Sequence, residues 1–177
     1  AATGQTDAAI ATWTQLTQTY PDDPAAAEAL YQIGLSAVEQ PANSALPNSE
    51  PAPLPEAWSQ LIEAFPSHPL SVNVAFRQAA SLAAKNSAAL PLLKQVAYHG
   101  LEHPQYTQAL DRLVNDYSSA LTPEDWEAIG FGYWETQNYG KAGDAYAKAP
   151  GSPRTQYRAA RVKERGGKGR EAVVIYQ

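Results

Sequence analysis

Two segments of this chain are copies of one unit. Residues 11–31 read ATWTQLTQTYPDDPAAAEALY, and residues 57–76 read AWSQLIEAFPSHPLSVNVAF. At an offset of 45, Trp13 aligns with Trp58, Leu16 with Leu61 and Tyr20 with Phe65. Pro21, Pro24 and Tyr31 align in turn with Pro66, Pro69 and Phe76. The pattern predicts a helix, a tight Pro-x-x-Pro turn and a second helix, used twice. The second proline of each copy suits a first helical position, where the missing N–H is not needed. A unit of this kind cannot bury its apolar face alone and stacks on its neighbours.

The rest of the chain continues helical. PANSALPNSEPAPLP, residues 41–55, has no helical period and is expected to be an extended insertion. Helices are predicted near 56–65 and 70–85, then over Ser87–Tyr98 and Pro104–Tyr117. Thr122-Pro123-Glu124-Asp125 reads as a helix start: a capping hydroxyl, a proline at the first position and two acids at the positive end of the dipole. Beyond it, Trp126, Ile129, Gly130 and Tyr133 follow the spacing W-x2-L-G-x2-Y. Ala142 and Tyr146 then follow A-x3-F after a turn at Asn138-Tyr139-Gly140. This is the tetratricopeptide pattern, in which small residues at Gly130 and Ala142 let two antiparallel helices touch. Ala172 and Tyr176 repeat Ala142 and Tyr146 at an offset of 30. Gly4, Ala9 and Trp13 read as the turn and second helix of another copy.

The expected fold is therefore all-α, a right-handed α-α superhelix of tetratricopeptide-like hairpins over 1–177. It divides into a first repeat part at 1–40, the Pro-rich insertion at 41–55, middle helical pairs over 56–120 and C-terminal repeats over 121–177. Both ends fall inside repeats, so a further helix is expected on each side, with fraying at residues 1–12 and 168–177.

Charge is uneven. Residues 1–140 carry a net −11 and residues 141–177 a net +6. An acidic body with a basic end argues against a nucleic-acid binder, and no apolar run is long enough to span a membrane. The chain has no cysteine, which excludes disulfides, thiolate metal sites and thiol nucleophiles. His99-Gly-Leu-Glu-His103 matches H-x-x-E-H, but zinc chemistry needs both histidines on one continuous helix. Gly100 and Pro104 place the segment in a turn. Gly166-Gly167-Lys168-Gly169 lacks phosphate-loop spacing and reads as a helix–helix turn. No catalytic residue, metal ligand or cofactor site is expected.

Two features remain as candidate contacts. Arg154, Arg158, Arg161 and Arg165 recur at helical steps as one stripe. The stripe suits an anionic polymer, a carboxylate or an acidic domain; equally it is the solvated side of a solenoid helix, with Tyr157 and Ala160 on an adjacent, more buried face. Glu164, three residues after Arg161, is placed to pair with it. Trp134 is not explained by the repeat pattern and is the candidate exposed aromatic, whereas Tyr133 is expected in the core.

Residues 121–177 resemble the helical superhelix of soluble lytic transglycosylases, particularly the cyanobacterial type. The likeness rests on the helix start containing Trp126, the Tyr139-Gly-Lys-Ala turn, the Ala149-Pro150 break and the Tyr157-Arg-Ala-Ala step. It implies a periplasmic, non-catalytic scaffold that works on peptidoglycan or holds the parent's own catalytic domain. That family's catalytic glutamate stands in a Glu-Ser motif of a lysozyme-like domain; this chain has no Glu-Ser pair, so no catalytic residue carries over. Two alternatives stand beside it: a free-standing tetratricopeptide adaptor for a protein or peptide, and an envelope-assembly lipoprotein.

Overall fold

The computed structural model describes residues 2–39, 54–149 and 153–167. All regular structure among them is helical, and it forms two compact units, 1–83 and 84–177. The first unit holds α1 (Ala2–Thr19), α2 (Pro24–Glu39), α3 (Glu56–Ala64) and α4 (Pro69–Ser81). The second holds α5 (Ala89–His99), α6 (Tyr106–Tyr117), α7 (Pro123–Glu135), α8 (Tyr139–Ala147) and α9 (Pro153–Arg165), with a 3-10 turn at Ser118–Ala120.

The repeat read from the sequence is the repeat of the first unit. α1 ends at Thr19 and α3 at Ala64; α2 begins at Pro24 and α4 at Pro69. Both pairs of boundaries keep the 45-residue offset. The residue before each second proline closes the turn in the same way. The Asp23 carboxylate accepts the Ala25 N–H at 2.8 Å, and His68 Nδ1 accepts the Leu70 N–H at 3.3 Å. Such caps satisfy donors that a helix start leaves without an intrahelical partner. Ala27, Leu30, Trp58, Leu61 and Val74 form the core of this unit. Trp58 stacks on Tyr31 with ring centroids 6.2 Å apart and donates its indole N–H to the Tyr31 carbonyl at 3.1 Å. A Cβ on Gly34 would overlap the Trp58 ring, so glycine is what lets α2 and α3 close on each other.

Gly4 departs from the expectation. It lies inside α1, not in a turn, because the helix already begins at Ala2 and runs unbroken to Thr19. The 41–55 insertion lies outside the described residues except for Leu54 and Pro55, and Leu54 packs against the core of the first unit. Ala172, Tyr176 and the 168–177 end lie outside them as well.

In the second unit the helices pair as α5 with α6 and α7 with α8, and α9 packs on α8. Pro123 and Pro153 begin α7 and α9 at an offset of 30, the spacing seen between Ala142 and Ala172. Thr122 and Asp125 make a full capping box: the Asp125 N–H donates to Thr122 Oγ1 at 3.3 Å, and the Thr122 N–H to Asp125 Oδ2 at 2.8 Å. Gly130 lies against Tyr146, where an added Cβ would come within 2.8 Å of the ring, and Ala142 is fully buried. The helix contact anticipated at those two small residues is present. Tyr133 is in the core, as expected, and its hydroxyl donates to Asp111 at 2.6 Å.

Candidate functional site: one face of α5, α7 and α9

α7 carries a stripe that the core does not use. Glu124, Glu127, Phe131 and Trp134 recur at steps of three and four, a single line along a helix. Trp126, Ile129 and Tyr133 occupy the buried sides. Tyr98 on α5 and Tyr157 on α9 flank the stripe. Two adjoining cavities run along it. One, of about 500 Å³, is lined by Tyr98, Glu124, Glu127, Ala128, Phe131 and Arg158. The other, of about 290 Å³, is lined by Phe131, Trp134, Tyr146, Tyr157, Arg158 and Arg161. Phe131 and Arg158 belong to both, so the two make one groove.

Large apolar side chains are exposed along this groove. Tyr98 is 48%, Phe131 38% and Tyr157 56% exposed. These are three of the six large hydrophobics that stand exposed among the described residues, and they come from three different helices. Scattered exposed hydrophobics are ordinary; exposed aromatics converging on one groove mark an interaction surface.

Guanidiniums lie over the rings. Arg158 sits 5.3 Å from the Phe131 ring centre and donates to Glu127 Oε1 at 3.1 Å. Arg165 sits 5.4 Å from the Trp134 ring centre, and Trp134 meets Tyr139 edge-on at 5.1 Å. Arg161 pairs with Glu164 at 3.6 Å, the partner expected from spacing. Of the arginines in the stripe predicted from the sequence, Arg158 is half-buried, Arg161 is partly exposed and Arg165 is exposed. Arg158 and Arg165 turn towards α7, each over an aromatic ring, and Arg161 lines the groove beside them. Arg154 is on α9, but its side chain lies outside the described part of the structure. Trp134 is half-buried at the groove's edge. Tyr157 corrects the expectation: Ala160 is fully buried, but Tyr157 is not on its face. It lies one turn before Arg161 and shares the groove side with it.

At the α5 end the face is held by Asp125. This carboxylate is almost wholly buried and receives Lys94 Nζ at 2.6 Å and the Tyr98 hydroxyl at 3.0 Å, besides its capping bond. Burial pushes its carboxyl up. The Lys94 ion pair, the Thr122 N–H and the Tyr98 hydroxyl together outweigh that and hold it below the usual carboxylate value. Burial and the Asp125 charge push the Tyr98 phenol up to about 12, so it stays protonated and donating. Asp125 thus pins α5 to the start of α7 and fixes the exposed ring of Tyr98 beside Phe131.

The other features weighed in the sequence are structural. His99 ends α5, Gly100 caps it, and His103 stands in the turn that follows, its Nδ1 accepting the Gln105 N–H at 3.2 Å. The two histidines do not share a continuous helix, and His103 makes the same i to i+2 bond before a proline that His68 makes, here within the turn ahead of α6. A smaller cavity of about 170 Å³, on another face of α7, includes Asp111, Tyr133, Lys141 and Lys148. Its cations are engaged within the chain: Lys141 with Asp111 at 2.6 Å, Lys148 over the Trp126 ring at 4.3 Å.

A model of the tetratricopeptide repeat family matches residues 1–23, which span α1 and the turn after it. Comparison with curated proteins and with solved structures gives no match. No described helix is long and apolar enough to cross a membrane.

Proposed function

We propose that this chain is a non-catalytic helical scaffold that docks a partner along the α5–α7–α9 groove. One observation carries the reading: the exposed rings of Tyr98, Phe131 and Tyr157 converge there from three helices. The tetratricopeptide match and the paired-helix packing support it, since stacked hairpins of this kind present extended binding surfaces. The groove's polar groups include the Arg158–Glu127 ion pair, the Arg161 guanidinium beside Glu164 and the Tyr98 hydroxyl held by Asp125, an arrangement that suits recognition.

A finer reading places this scaffold in a soluble lytic transglycosylase of the periplasm, with the catalytic domain elsewhere in the parent. Its support is the sequence likeness over residues 121–177. Sedimentation with purified peptidoglycan sacculi, at low and raised salt, tests it. Salt-sensitive binding that R161E/R165E abolishes supports a wall scaffold. No binding leaves an adaptor whose partner is a protein, and binding that the double variant retains removes the groove from wall recognition.

A further inference from the structure

The groove has a chemical direction. Its α7 N-terminal end carries Glu124 and Glu127, and its far end carries Arg161 and Arg165. Arg158, in the middle, is already neutralised by Glu127 at 3.1 Å. Positive charge is therefore concentrated at the far end. There, among the described residues, Arg161 pairs with the exposed Glu164 at i,i+3 and 3.6 Å, a pair too long and too solvated to hold it strongly. Arg165 lies over Trp134 with its guanidinium carbon 5.4 Å from the ring centre, a cation–π contact that engages the face of the ring and uses none of the guanidinium N–H donors.

We infer that the groove between α7 and α9 receives a peptide segment in which a carboxylate side chain lies next to a large apolar one. The apolar side chain enters the cavity bounded by Phe131, Tyr146 and Tyr157. The carboxylate meets Arg161 and Arg165 beside the Trp134 ring. A carboxylate matches the guanidinium fork in two parallel hydrogen bonds and displaces the weak Glu164 pair. The acidic end of the groove repels the same carboxylate, so the segment binds in one direction, acid towards Arg165. This rests on the scaffold reading and narrows its partner to an acidic–apolar peptide.

The test uses the full chain and fluorescein-labelled short peptides, read by fluorescence anisotropy. One alternates Asp and Glu with Leu and Phe; a second has Lys in place of each acid; a third has Ser there. The acidic peptide is expected to bind best. R161E/R165E and F131A should each weaken it by about tenfold or more. K85E, a charge reversal at one site outside the groove, should leave binding intact. R161K/R165K should recover part of what the glutamates lose, which separates carboxylate recognition from loss of folding. Two outcomes overturn the inference while sparing the scaffold reading: F131A-sensitive binding of the Ser or Lys peptide at equal strength, and binding only to sacculi. Failure of every peptide and of sacculi overturns both.

Discussion

Asp125 joins α5 to α7 through a single carboxylate. Its carboxylate closes the α7 cap and takes Lys94 and Tyr98 from α5. D125N keeps the shape and loses the charge. Breaking a buried, multiply bonded ion pair by removing one partner is expected to cost about 2–4 kcal/mol in urea unfolding at neutral pH. The acid limb follows from linkage. Because the folded carboxyl titrates below its ordinary 3.8, its contribution is fully present above 3.8 and is lost as pH falls through the folded value. The gap between wild type and D125N should therefore narrow in acid. A gap that stays constant from neutral pH down to strong acid would show that Asp125 acts through packing alone. Thr122 and Asp125 were recognisable as a helix start from their spacing. The bonds to Lys94 and Tyr98 were not, since they cross 27 residues or more between Asp125 and α5.

At the scale of elements, close approach between helices is set by glycines whose missing Cβ matters. G130A would gain about 1 kcal/mol of helix propensity, but it drives a methyl against the Tyr146 ring, and overpacking of that kind costs about 1–3 kcal/mol. G34A meets the Trp58 ring more closely still. Both are expected to lower Tm. G140A, in α8 with no atom near the added methyl, is expected to raise stability by up to about 0.5–1 kcal/mol. Thermal melts of the three variants check this, and a G130A protein as stable as G140A would contradict the packing described. The sequence disclosed these contacts well, because the repeat places a small residue opposite a large one at fixed offsets. It disclosed the groove poorly. A solenoid helix is covered on two sides, by its hairpin partner and by the next repeat, so a stripe of similar residues does not declare which line is left open. Phe131 holds no position of the repeat pattern and passes unmarked, and Tyr157 reads as a companion of Ala160. The signal that finds both is charge beside them at one helical turn: Glu127 before Phe131, and Arg161 after Tyr157.

Over the whole chain, an acidic body precedes a basic end, and the basic end supplies one wall of the groove. Such polarity raises association rates for anionic partners and makes them salt-sensitive. The architecture follows from repetition: two copies at an offset of 45 make the first unit, and the second pairs α5 with α6 and α7 with α8, the latter pair carrying tetratricopeptide spacing. In the proposed reading, recognition lies in how three helices of the second unit leave their outer lines uncovered. The most direct measurement is amide chemical-shift mapping of the full chain titrated with the acidic–apolar peptide. Shifts should concentrate at Tyr98, along Glu127–Trp134 and along Tyr157–Arg165, and should fade with added salt. Shifts confined to α6 and α8, or spread evenly over the chain, would contradict the α5–α7–α9 groove as the docking face.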